Sequence, residues 1–279
     1  MDHEALPEVK LQDPTVLASH YTWKKRLLET VSVIVFASLL GAMLLRVWRE
    51  MNLRADAWLL VGTFFLSMLA ADFVSGLVHW FADTWFTVEL PILGPTLVKN
   101  FREHHSAPKA LAKKGLVETN GDNCMILVQV QIGALFIPLA NAGVWVRFAY
   151  AMLVGFTFWI MMTNQIHKWA HMEPEKLPWL VRVMQRTRFV LSIPEHDVHH
   201  TVPFESHYCI TTGWLNRPLA RIGFFRFMER IIWKTTGMIP RENDIGTDAA
   251  VSLAIRQGVL PRDFRPTRAI VGTRSTPTA

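Results

Sequence analysis

Four long uncharged runs divide the chain: residues 30–45, 57–71, 123–146 and 148–166. The second continues past Asp72 through a further apolar stretch to His79. A helix of about 20 apolar residues crosses a bilayer core about 30 Å thick, so each run reads as a spanning helix. The first is slightly short and needs tilt, local thinning or flanking help. The spacing is a short loop, a long loop, a short loop and a long tail. Ser192 followed by Glu195 reads as a helix start. Over residues 218–234, Leu219, Ile222, Phe225, Phe227, Met228, Ile231 and Ile232 alternate with Arg221, Arg226, Glu229 and Arg230. That pattern predicts an amphipathic helix, lying in the membrane interface or packed on a polar-faced domain. The expected architecture is an all-α integral membrane protein with about four transmembrane helices. Residues 1–22 form a polar N-terminal tail, 23–240 the membrane domain and 241–279 a polar, flexible C-terminal tail. No internal repeat and no separate soluble domain is visible.

Composition supports the membrane reading: 51% of residues are hydrophobic and 19% charged, against about 25% charged in soluble domains. The net charge of +6 fits basic loops against anionic lipid better than nucleic-acid binding. Cys124 and Cys209 supply no disulfide framework and no Cys-x-x-Cys pair, and read as small buried side chains. The first apolar block follows a polar start and Lys24, Lys25 and Arg26, which suits an uncleaved anchor rather than a cleaved signal peptide. Lys24, Lys25 and Arg26, and then Lys99, Arg102, Lys109, Lys113 and Lys114, place the N-terminus and the long loop in the cytoplasm. Arg49 and Arg54 argue the other way and are partly offset by Glu50 and Asp56. A bacterial inner membrane is favoured, with the endoplasmic reticulum as the alternative.

Histidine changes the picture from a membrane protein to a membrane metalloprotein. Eight of the eleven histidines fall in four groups: His79, His104-His105, His167 with His171, and His196 with His199 and His200. With four spans, all of them land at the cytoplasmic side. Imidazoles four residues apart in a helix point the same way and can chelate one ion. A single catalytic zinc needs three protein ligands, so eight histidines argue for a histidine-rich di-metal cap, with iron the economical choice. Each group alone has a plainer explanation as interfacial or hydrogen-bonded histidine; their coincidence on one side is what carries the metal site. His3 and His20 read as solvated tail residues, and His207 as an outer partner or an interfacial residue.

Carboxylates accompany them. Asp72 lies within an apolar span, where a charge is expensive and normally partnered. Asp83, one turn beyond His79, is the best candidate for an outright ligand or close partner. Glu103, Glu118, Asp122, Glu195 and Asp197 are further candidates to receive imidazole N–H groups, although Glu195 also suits a helix cap.

Several ordered segments carry a resemblance: DFVSGLVHWFADTW at 72–85, FREHH at 101–105, ETNGDN at 118–123, NQIHKWAH at 164–171 and ITTGWLN at 210–216. Over roughly residues 20–240 the chain resembles the Kua/CarF lipid-desaturase family. The resemblance implies a membrane di-iron oxygenase that introduces the vinyl-ether double bond into 1-O-alkyl phospholipids. It also implies His79, His104, His105, His167, His171, His196, His199 and His200 as the metal-binding and catalytic set. Unactivated C–H bonds demand oxygen activated at a metal, so two iron ions and O2 are expected. No dinucleotide fingerprint or iron–sulfur pattern is present, so electrons should come from a separate protein, cytochrome b5-like or ferredoxin-like. Lys99, Arg102 and Lys168 could contact the lipid phosphate, or serve only as ordinary positive-inside residues. Competing readings are an acyl-lipid desaturase or hydroxylase on the same scaffold, and a non-enzymatic haem- or metal-binding membrane signalling protein.

Overall fold

The computed structural model describes residues 21–91, 94 and 98–265. His3, His20 and the terminal segment from residue 266 lie outside the described residues. Four long helices carry the fold: α1 (Trp23–Glu50), α2 (Ala57–Thr84), α5 (Leu116–Leu135) and α6 (Val144–Ala170). Between α2 and α5 lie α3 (Lys99–Ser106) and α4 (Lys109–Lys113). After α6 come a 3₁₀ turn, then α7 (Trp179–Arg186), α8 (Ile193–His199), α9 (Asn216–Arg221), α10 (Phe224–Thr236), α11 (Glu242–Ile245) and α12 (Thr247–Arg256). The described residues contain no strand.

Among these, α1, α2 and α6 are long and apolar enough to cross a membrane. Their outward faces expose Leu28, Ile34, Leu44, Val61, Phe65 and Leu66, the side chains that hydrocarbon accommodates without cost. Helix α1 packs on α5, α2 on α6, and α5 on α6. At one end, Arg46 donates to the carbonyls of Leu135 and Ile137, and Arg147 pairs with Asp56 at 3.1 Å. At the other, Lys25 reaches Asp122. The C-terminal ends of α2 and α6 share this second end, which is why His79 and His167 meet.

The structure differs from the sequence expectation in three places. The apolar run 123–146 is not one helix. Helix α5 begins earlier, at Leu116, and ends at Leu135; a turn with Pro138, left-handed Asn141 (φ 56°) and Gly143 separates it from α6. Proline has no N–H to continue a helix, and hydrophobicity alone does not reveal such a turn. Helix α5 also carries six polar residues, Glu118, Asn120, Asp122, Asn123, Gln129 and Gln131. The amphipathic stretch 218–234 is two helices, broken where Gly223 adopts φ 66°. Finally, residues 241–265 are not a featureless polar tail. Ile239, Ile245, Ala249, Ala250, Val251 and Leu253 form a small core there, and Arg241 and Asp244 are buried.

Close approach at α2 depends on Gly76. A Cβ there would sit 2.5 Å from Cys209 Sγ, so the helix and the 207–216 segment can touch only over glycine. Gly76→Ala is expected to cost about 1–3 kcal/mol through overpacking, read as a lower unfolding midpoint in detergent. The added change Cys209→Ala should restore part of that loss.

Candidate metal centre

Asp72 is the anchor from which the site is built. Its Oδ1 accepts from the backbone N–H groups of Thr211, Thr212 and Gly213 at 3.0, 2.7 and 3.0 Å, and its Oδ2 from that of Leu215 at 3.2 Å. A buried carboxylate with four donors is a compensated one, which resolves the cost of placing it in an apolar helix. Gly213 takes φ 75°, the conformation that lets consecutive N–H groups converge. Ser75 Oγ adds a bond from Ile210 N, and Thr163 and Thr211 hydroxyls meet at 2.7 Å. The 207–216 segment is therefore pinned to α2 and α6.

That segment orients the histidines. His79 Nδ1 donates to the Tyr208 carbonyl at 3.2 Å and His199 Nδ1 to the Ser206 carbonyl at 2.8 Å. Donation at Nδ1 assigns the proton there and leaves each Nε2 with a free lone pair. Both lone pairs face Asp83, at 3.4 Å from His79 and 3.7 Å from His199. His105 Nε2 completes the group, 3.2 Å from His199 Nε2 and 3.6 Å from Asp83 Oδ1. Lone pairs and a carboxylate directed at one another in a buried pocket repel unless a cation lies between them. His79 Nε2 and both Asp83 oxygens have no hydrogen-bond partner. The donor set His79, Asp83, His105 and His199 thus fits a metal ion.

The other five histidines converge on a second point. His104 Nε2 lies 2.9, 3.1 and 2.9 Å from the Nε2 atoms of His167, His171 and His200. His196 Nε2 lies 2.8, 2.8 and 3.1 Å from the same three. The His104 and His196 rings are nearly parallel, 18° apart with centroids separated by 5.9 Å, and stand on opposite sides of the trio. One N–H per imidazole cannot serve three neighbours at once. Nitrogen ligands about 2.1 Å from a common ion, by contrast, sit about 3.0 Å apart when at right angles. The observed separations fit an ion that His104, His167, His171, His196 and His200 would hold.

The two groups share no residue, and helical geometry together with the rotation of α3 and α8 against the bundle sets the partition. Pairs four apart stay together: His79 with Asp83, His167 with His171, His196 with His200. Adjacent residues diverge by about 100° around a helix. So His104 and His105 serve different groups, and His199 leaves the face expected to hold the whole 196–200 triplet. Phe204 stacks on His105 with centroids 4.1 Å apart, and Phe101 covers His79 at 5.0 Å. These rings screen the four-donor group from water, while His171 and His200 are only half-buried.

Burial holds the imidazoles outside the spans in their neutral, ligating form. It lowers His104, His105, His196 and His199 well below the usual value, with the neighbouring imidazoles adding to the effect. His171 falls to about 3 and His200 to about 4. Depressed histidine values mean that the unfolded chain binds protons first as pH falls. The metal-free protein should therefore lose stability progressively below about pH 6.5, the ordinary histidine value. Thermal unfolding in detergent at pH 7 and pH 5 measures this.

Other expectations move. Arg102, considered for lipid phosphate, is buried and committed: it donates to the carbonyls of Asp83 and Phe86 and pairs with Asp244 at 2.8 Å. Lys168 donates to the Lys114 carbonyl. His207 joins neither group; it lies 3.4 Å from Glu195 and contacts the Ser206 hydroxyl. Sequence reasoning missed Asp244 and the buried Glu229, which gathers Trp80, Arg226 and Arg241 around one carboxylate. Asp244 and Arg241 lie in the polar segment from residue 241, where no periodicity marks them.

Comparison with known proteins sets the class. The lipid desaturase domain model matches residues 68–243, and the chain belongs to that family. Among its relatives, plasmanylethanolamine desaturase of Myxococcus xanthus is 44% identical over 251 residues, covering 90% of this chain and 87% of the relative. Plasmanylethanolamine desaturase 1 of Mus musculus is 39% identical over 236 residues, covering 82% and 85%. A chloroplastic fatty acid desaturase 4-like protein of Arabidopsis thaliana is 28% identical over 239 residues, covering 84% and 75%. No solved structure gives a significant match.

Proposed function

We propose that the chain is a plasmanylethanolamine desaturase that converts the 1-O-alkyl chain of an ether phospholipid into a vinyl ether. The observation that carries this reading is the convergence of eight histidines and Asp83 into two buried donor groups, in a chain 44% and 39% identical to two relatives of that name. One hydrogen leaves each of C1 and C2. With O2, two electrons and two protons, the balance is one alkenyl lipid and two waters. Two iron ions bound at these groups would supply the oxygen-activating chemistry that unactivated C–H bonds require.

The chain's own residues do the rest. His104, His167, His171, His196 and His200 would hold one ion, and His79, Asp83, His105 and His199 the other. The carbonyls of Tyr208 and Ser206 fix two of the imidazole tautomers, and Phe101 and Phe204 keep water from the four-donor group. Electrons would come from a separate cytochrome b5-like or ferredoxin-like protein. Helices α1, α2, α5 and α6 would form a multi-pass bundle in a bacterial inner membrane, with the endoplasmic reticulum as the alternative setting and the histidines at the cytoplasmic face. At about 1.5 Å per residue, 28-residue helices exceed a core about 30 Å thick, which suits a site just outside the hydrocarbon.

The test is lipid mass spectrometry on plasmalogen-free cells expressing the chain and supplied with a 1-O-alkyl phospholipid under air. An acid-labile product lighter by two hydrogens, absent without O2, is expected. Unchanged ether lipid, with iron-loaded protein and a competent reductant present, would move the assignment to acyl-chain desaturation or hydroxylation. The 28% identity with the chloroplastic relative keeps that second reading in play.

A further inference from the structure

Of the three imidazoles in the four-donor group, two have their Nδ1 atoms fixed by backbone carbonyls. The third, His105, has no such partner. Its Nδ1 is buried, makes no hydrogen bond, and lies 3.8 Å from Asp244 Oδ2. That oxygen is itself buried and without a hydrogen-bond partner among the described residues. The other Asp244 oxygen is held by Arg102 NH1 at 2.8 Å. The same guanidinium donates to the backbone carbonyl of Asp83 at 2.9 Å, so one buried arginine ties the Asp244 carboxylate to the end of the helix that carries Asp83. Asp244 is 4% exposed and Arg102 2%, and a buried carboxylate of this kind is retained only with partners.

We propose that Asp244, from the short helix α11 outside the long-helix bundle, is the positioning residue for His105. In the metal-loaded protein it would accept a hydrogen bond from His105 Nδ1–H across what is now a 3.8 Å gap, directing the Nε2 lone pair inward and so completing the four-donor metal position. A carboxylate behind a ligating imidazole fixes its tautomer and raises its basicity. The residue lies one position past the matched family domain, which ends at 243. Nothing in the 241–265 pattern marks it; only the fold brings Asp244 of α11 to Arg102 and His105 of α3. The two metal positions then differ in kind. One is held by five neutral imidazoles, and the other by a carboxylate plus three imidazoles, one of them backed by a second carboxylate.

The inference rests on the reading of the two groups as metal positions, and the experiment separates the two. Full-length protein is purified in detergent and loaded with ferrous iron. Iron per chain is then measured by mass spectrometry, and the sites are resolved by Mössbauer spectroscopy. The wild-type chain is expected to hold two irons as two distinct signals; fewer than two would overturn the metal reading before any variant is considered.

Asp244→Asn is the informative variant. Its Oδ1 still accepts from Arg102, while its amide donates toward His105 and forces the proton onto Nε2. The expected result is a folded protein of wild-type helicity, with one iron retained in the five-histidine group. Affinity for the second iron should fall about 10- to 100-fold, the usual scale for such outer partners. Asp244→Glu should recover part of it. Two irons at wild-type affinity in Asp244→Asn would overturn the proposal. So would joint loss of both irons or of the fold, since that would make Asp244 a structural residue only.

Discussion

His104→Ala and His196→Ala are each expected to abolish turnover while leaving the helical bundle intact. These two residues oppose one another across the five-histidine group, and each Nε2 contacts the other three. Removing either opens one side of the coordination shell. The loss should exceed the roughly 100-fold typical of changes behind a metal ligand. Because alanine also relieves a crowd of buried imidazoles, the metal-free variant should be no less stable than the metal-free parent. Activity on a 1-O-alkyl phospholipid and thermal unfolding of the metal-free proteins check both halves. Full activity in either variant would remove that residue from the site.

Asp72→Ala should have the largest effect on stability. Four backbone N–H groups, those of Thr211, Thr212, Gly213 and Leu215, converge on that carboxylate. Each would be left buried without an acceptor, at about 1–3 kcal/mol apiece. A loss of about 4 kcal/mol or more is expected, with the protein recovered poorly from the membrane. Asp72→Asn should be milder, since its carbonyl oxygen can still accept from the Thr211–Gly213 turn. Activity should fall in both, because the released 207–216 segment carries the carbonyl that orients His79. Wild-type unfolding behaviour in Asp72→Ala would show that the segment is held by other means.

Much of the site was legible in the sequence because helical spacing is a physical constraint. Residues four apart share a face, so the pairings of His167 with His171 and of His79 with Asp83 could be read directly. Asp72 announced itself as a charge that an apolar helix cannot carry alone. The division into two centres was not legible. Whether adjacent His104 and His105 split, and whether His199 leaves His196 and His200, depends on the rotation of α3 and α8 against the bundle. The turn at 136–143 hid inside an apolar run, since hydrophobicity does not encode chain reversal. Asp244 and Arg241 act only through burial in a segment whose own pattern is polar. The family resemblance stated from the 72–85, 101–105, 118–123, 164–171 and 210–216 segments holds, and the structure shows why several of them matter. Gly76 admits Cys209, Asn120 bonds Gln165, Asn164 bonds the Thr119 carbonyl, and Gly213 closes the turn on Asp72.

The proposed reaction removes one hydrogen from each of C1 and C2 of an ether-linked chain. A 1-O-alkyl phospholipid fully deuterated at C1 and C2, given to membranes containing the chain with O2 and a reductant, tests it most directly. The expected product is a vinyl ether that has lost two deuterons, one from each carbon, with both remaining deuterons on the new double bond. A desaturated or hydroxylated lipid that keeps all four deuterons would contradict it and place the chemistry elsewhere on the lipid.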